Sequence, residues 1–173
     1  MKKSLLVLIS IMLFASMFVL AKPVEAVDVD LERYTGKWYE IGRYGLFFEQ
    51  GMANVTAEYT LLENGEIQVV NQGYYGGPGG LKGSVKGKAW VPDPEEPGEL
   101  KVQFFGSFSS DYWVIDLDEE DYSYAVVSQP GKEYLWILSR TPQMDNALYE
   151  EILSRLNDWG FDLNRIEKVT QEW

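Results

Sequence analysis

Val55-Thr56-Ala57-Glu58-Tyr59-Thr60-Leu61, then Glu63-Asn64-Gly65, then Ile67-Gln68-Val69-Val70-Asn71 is the stretch on which the fold turns. Apolar and polar side chains alternate with period 2 on both sides of an Asn-Gly step, the pattern of two half-buried strands joined by a tight turn. Upstream, Lys37-Trp38-Tyr39-Glu40-Ile41 reads as a strand that runs into Gly42-Arg43-Tyr44-Gly45 and an apolar, ligand-side loop, Leu46-Phe47-Phe48. Downstream, residues 73–80 read as a Gly/Tyr/Pro loop without periodicity and residues 85–91 as a fourth strand. Pro92-Asp93-Pro94-Glu95-Glu96-Pro97-Gly98 closes that strand, because such a cluster cannot lie within a sheet.

Residues 100–104, 112–117, 124–127 and 134–138 complete a set of eight strands, all joined by short connections. One helix follows, with Thr141-Pro142 expected to cap it and Leu148, Ile152, Leu156 and Trp159 on one apolar stripe. Gly160 ends it, and residues 165–170 form a last strand-like piece. Eight up-and-down strands without a long crossover close most simply into an antiparallel barrel. The expected fold is therefore all-β, an eight-stranded antiparallel barrel with one C-terminal α-helix packed on its outer wall. A barrel of this size holds either one small ligand or a filled core.

Composition narrows the function. The 173 residues include 15 Lys+Arg and 27 Asp+Glu, a net charge of −12, which argues against a nucleic-acid partner or an anionic membrane surface. There is no Cys and no His, so disulfides, Cys/His zinc sites, haem ligation and a Ser-His-Asp triad are excluded. The runs Glu95-Glu96, residues 118–121 and Glu150-Glu151 fall in turns or on the helix surface and read as solvated faces. No catalytic residue, metal site or cofactor is assigned, and the chain is not read as an enzyme. Aromatic residues make up 14%, which suits an aromatic-lined cavity.

Met1-Lys2-Lys3, an apolar stretch over residues 5–20 and the small-residue site Val24-Glu25-Ala26 (or, earlier, Val19-Leu20-Ala21) have the layout of a secretory signal peptide. Residues 1–26 are read as a cleaved leader and 27–173 as the domain. The expected location is periplasmic or secreted, and the lack of Cys argues against a lipoprotein.

Three motifs add a family. Gly36-Lys37-Trp38-Tyr39-Glu40-Ile41 resembles the Gly-x-Trp-Tyr signature that opens the first strand of lipocalins. The run Asp111-Tyr112-Trp113-Val114-Ile115-Asp116-Leu117-Asp118 resembles the second lipocalin motif. The run Tyr134-Leu135-Trp136-Ile137-Leu138-Ser139-Arg140-Thr141-Pro142 resembles the third, with its arginine just past the eighth strand. The likeness is greatest to bacterial lipocalins and the related apolipoprotein D branch. It implies that Gly36, Trp38 and Arg140 are structural, with Trp38 plugging the closed end and Arg140 across its ring. It also implies a carrier of small hydrophobic ligands, fatty acids or lysophospholipids, with a role in membrane lipid storage or maintenance. Peripheral association with the outer membrane fits that role.

Period 2 selects the inward set as Val55, Ala57 and Tyr59, with Ile67 and Val69, with Val85, Gly87 and Ala89, and with Val102 and Phe104. Tracing back from Arg140 adds Tyr134, Trp136 and Leu138. The sixth and seventh strands are apolar on both faces, and the resemblance selects Tyr112, Val114, Ala125 and Val127. From this set Tyr59, Val69, Val85, Val102, Phe104, Tyr112, Val114, Val127, Tyr134 and Trp136 are the expected ligand contacts, and no inward Arg or Lys is identified. Phe47-Phe48 and Tyr74-Tyr75 suggest a patch for a partner, so the alternatives are an interaction module with a filled barrel, including a homodimer, or an enzyme acting on a lipid.

Overall fold

The computed structural model describes residues 23–45 and 49–173. The apolar leader and the Leu46-Phe47-Phe48 loop lie outside the described residues. A short helix α1 (Leu31–Tyr34) precedes eight antiparallel strands: β1 (Gly36–Tyr44), β2 (Met52–Leu61), β3 (Ile67–Tyr75), β4 (Leu81–Trp90), β5 (Glu99–Gln103), β6 (Ser110–Leu117), β7 (Tyr124–Ser128) and β8 (Leu135–Ser139). Then come α2 (Asn146–Asp158), a single 3-10 turn (Leu163–Arg165) and β9 (Ile166–Lys168). From β1 to β8 each strand pairs with the next, β1 also pairs with β8, which closes the barrel, and β9 adds to the far end of β1.

The β1–β2 seam is short, Gly36–Tyr39 against Thr56–Tyr59. Beyond it the two strands diverge, and the chain after β9 fills the gap. The backbone N–H of Val169 donates to the Ile41 carbonyl. The Gln171 amide donates to the carbonyls of Glu40 and Val55 at 2.9 and 2.8 Å, supplying partners that the missing strand pairing would have given.

Three local differences from the sequence reading have physical causes. The helix starts later than Thr141-Pro142, at Asp145, whose carboxylate accepts from the backbone N–H of Ala147 and Leu148. A side-chain acceptor at that position satisfies free donors that Pro142 leaves untouched. Strand β3 runs on to Tyr75 and β4 starts at Leu81, so the loop is only residues 76–80. Helix α1 was not read at all; Asp30 caps it and Tyr34 is buried.

Two cores result. Inside the barrel lie Trp38, Ala57, Tyr59, Ile67, Val69, Ala89, Leu100, Tyr112, Val114, Leu117, Ala125, Val127 and Leu138. Between barrel and α2 lie Ile41, Ile115, Val126, Leu135 and Ile137 against Tyr149, Ile152 and Leu156. Arg155 of α2 adds an ion pair to Asp116 at 2.8 Å.

One end of the barrel is sealed. Trp38 has no exposed surface, and the Arg140 guanidinium stacks on its ring, 3.7 Å from the centroid. The same guanidinium donates to the carbonyls of Tyr122, Lys37, Arg33 and Tyr34. Gly36 has φ +94°, and a Cβ there would sit 3.4 Å from an Arg140 nitrogen, so both conformation and space favour glycine. Trp38→Ala should lower stability by about 3–5 kcal/mol through the cavity it leaves. Arg140→Ala should cost about 2–3 kcal/mol, because it strands carbonyls and removes the ring contact. Denaturant melts of both variants check this, and parental midpoints would contradict the plug.

Candidate ligand-binding site

The interior divides along its length. At the closed end Tyr59, Ile67, Leu100 and Leu138 are buried, and the Tyr112 hydroxyl hydrogen-bonds to those of Tyr34 and Tyr59, each at 2.8 Å. Burial pushes the Tyr59 and Tyr112 phenols well above their ordinary range, so this trio stays neutral. Tyr59 and Tyr112, expected as ligand contacts, are thus engaged with one another and with α1. Val69, Val114 and Val127 are likewise packed into the inner core with almost no exposed surface.

Toward the other end the inward side chains keep accessible surface. Val85, Val102, Phe104, Tyr134 and Trp136 are half-buried. Val102, Phe104 and Trp136 pack on the inner core, and Tyr134 stacks on Trp136 with ring centroids 5.9 Å apart. Gly87 makes room for Phe104, since a Cβ there would lie 2.6 Å from the ring.

One group of inward residues was not read in the sequence. Glu40 pairs in register with Leu138 and Arg43 with Trp136, and paired residues share a face of the sheet. A bulge between Glu40 and Gly42 puts Ile41 and Gly42 on the helix side and turns Arg43 inward. Arg43 is fully buried, and the expectation of no inward Arg or Lys is overturned. It donates to a Glu40 carboxylate oxygen at 2.8 Å, to the Glu49 carbonyl, and to Glu167 at 3.4 Å. Its Nε and the Oδ1 of Asn71 are buried with no hydrogen-bond partner in the described structure. Simple alternation from Trp38 places Glu40 inside, so half of the pair was within reach; Arg43 needed the bulge.

A barrel sealed at one end, with half-buried aromatic side chains toward the other and one ionic group on its wall, has the layout of a site for a small apolar molecule. Residues 29–171 match the lipocalin-like domain family. The chain is a lipocalin. It is 44% identical over 151 residues to the outer membrane lipoprotein Blc of Vibrio cholerae, covering 87% of this chain and 86% of that one. It is 31% identical over 150 residues to mouse apolipoprotein D, covering 83% and 78%. Among solved structures, lobster apocrustacyanin A1 superposes with a TM-score of 0.64 at 18% identity, covering 88% of this chain and 92% of that one, a likeness of fold.

The ionic group is the electrostatically unusual feature of this lipocalin. Burial and the nearby Glu49 carboxylate raise the Glu40 pKa to about 7 against the pull of Arg43. A carboxyl whose folded pKa lies above its unfolded value favours the folded state when protonated. That contribution is complete below the ordinary value of 4.5 and is lost as the pH rises through about 7. The parent should therefore lose melting temperature relative to Glu40→Gln between about pH 5 and 8. Thermal melts across that window test it; parallel curves would show that Glu40 is not the titrating group.

Proposed function

We propose that this lipocalin carries a single-chain lipid, a fatty acid or lysophospholipid, on the exported side of the cell membrane. The acyl chain would lie among Val85, Val102, Phe104, Tyr134 and Trp136, with the head group toward the mouth. What carries the reading is the gradient along the interior: inward residues are sealed at the Trp38 end, yet Val85, Val102, Phe104, Tyr134 and Trp136 retain surface toward the other. That surface is apolar and aromatic, and burying it against an acyl chain contributes about 0.8 kcal/mol per methylene. Lipocalins as a family bind small hydrophobic ligands, and no catalytic constellation is invoked.

The inward ionic group refines the head. Among the described residues, Glu40 and Glu167 both pair with Arg43, so the wall there is more acidic than basic. A head group carrying a positive centre, such as phosphocholine, suits it better than a bare carboxylate. The basic start, the apolar run and the envelope location in the name of the Vibrio relative support export. The leader is proposed to end at Ala26, leaving residues 27–173 as the domain. Val24, however, packs against the outer core, a contact that only the earlier site after Ala21 would keep.

Affinity should rise with chain length and then level off when the interior is full. Titration of a saturated lysophosphatidylcholine series, followed by tryptophan fluorescence, should show this rise in the parent and a weaker signal in Trp136→Phe. Val102→Phe should shorten the longest chain accommodated by about two to three methylenes, the volume of the added ring. Fatty acids of equal chain length should bind more weakly above pH 7 than below it. A flat response across chain lengths would mean a filled barrel.

A further inference from the structure

The two ends of the barrel differ in chemistry far more than a cargo alone requires. The closed-end turns, residues 62–66, 91–98 and 118–123, contain nine carboxylates and no Lys or Arg. At the mouth, residues 73–81 and 104–110 contain no charged residue at all, in a chain that is 24% charged. These mouth segments are the β3–β4 and β5–β6 hairpin tips, and they present large apolar side chains to solvent. Leu81 is 76% exposed, Phe105 72%, Phe108 89% and Tyr75 42%. Tyr75 lies over Gly83, where a Cβ would meet its ring at 2.7 Å, so the aromatic is laid along the lip and held out of the core. The remaining mouth turns supply Glu49, Lys132 and Glu133.

Folding does not call for these exposed side chains. Two separate hairpins projecting apolar tips around one opening form a patch that a monomer in water does not need. Behind the tips, Lys82 and Lys86 of β4 are exposed, and neither has an ion-pair partner among the described residues. An apolar tip backed by lysines is the arrangement of an interfacial anchor, in which rings enter the head-group layer and ammonium groups reach its phosphates.

We propose that the mouth docks on the surface of a phospholipid bilayer, with Leu81, Phe105 and Phe108 entering the interface and Lys82 and Lys86 at the phosphates. Docking points the nine closed-end carboxylates away from the membrane, so the net charge of −12 does not oppose it at the contact. The opening then faces the layer in which a single-chain lipid resides, and cargo passes without crossing water. The proposal takes its purpose from the lipid-carrier reading but is measured apart from it. A second copy of the chain is the less favourable occupant. A symmetric mouth-to-mouth pair would set Lys82 and Lys86 against their own equivalents.

The test uses the purified protein and phosphatidylcholine vesicles. Sedimentation with vesicles should show binding that falls at least about tenfold in Phe105→Ser/Phe108→Ser. The same measurement should be unchanged in Leu61→Ser/Leu62→Ser, a control for exposed apolar residues at the closed end. The chain lacks Cys, so a polarity-sensitive dye can be placed singly at Ser107→Cys or Glu95→Cys. Vesicles should blue-shift the dye at 107 and leave it unchanged at 95. Soluble lysophosphatidylcholine, titrated below its micelle concentration, should bind the Phe105→Ser/Phe108→Ser variant as it binds the parent. Loss of that titration with vesicle binding intact overturns the carrier reading alone. Absent vesicle binding, equal shifts at 107 and 95, or a dimer that Phe108→Ser dissociates overturns docking.

Discussion

The stacking of Arg140 on Trp38 is the constraint from which the rest of the barrel follows. An eight-stranded barrel has an interior that either side chains or one small ligand can fill, so a barrel that keeps room at one end must be filled at the other. Trp38 fills the base from below, with its indole N–H on the Tyr34 carbonyl at 2.9 Å. Arg140 covers the ring from outside and joins α1, the start of β1 and the β6–β7 turn through their carbonyls. A lysine could supply the charge but not the planar fork that reaches these separate acceptors. With the base fixed, the Tyr34–Tyr112–Tyr59 hydroxyls have a floor, and every inward position above them is set by register.

Register explains what could be read in the sequence. Val55 to Val70 alternates so regularly that the inner face of β2 and β3 follows from period 2 alone, and Tyr134, Trp136 and Leu138 follow from the arginine beyond them. The faces of β6 were ambiguous because a bulge between Val114 and Asp116 interrupts the alternation. Ile115 and Asp116 both turn toward α2, where one packs and the other pairs with Arg155, while Val114 and Leu117 stay inside. Alternation carries no mark of such an extra residue. The same device in β1 hid Arg43, and the Gly-rich end of β3–β4 hid two strand extensions because glycine shows no apolar period.

The hidden residues bear directly on function. A buried Glu40–Arg43 pair is a poor stabiliser, since desolvation offsets most of its attraction. Its position, on the face that carries Trp136 and close to the chain that bridges β1 and β2, makes it part of the wall rather than of the plug. Residues read easily from the sequence are those that build the barrel. Those that escaped the reading put charge on the wall that the barrel's alternation leaves apolar.

A container needs one end that never opens and one that meets its source, and the charges along this chain follow that division. The carboxylates gather where Trp38 and Arg140 have already sealed the base, so their mutual repulsion acts on turns held by an intact plug. The mouth is freed of charge over two hairpins, although each exposed ring there costs solubility. Uniform surface charge would have kept the protein soluble at both ends equally well. The segregation is therefore explained by what the mouth approaches, and the acidic base keeps that approach one-sided.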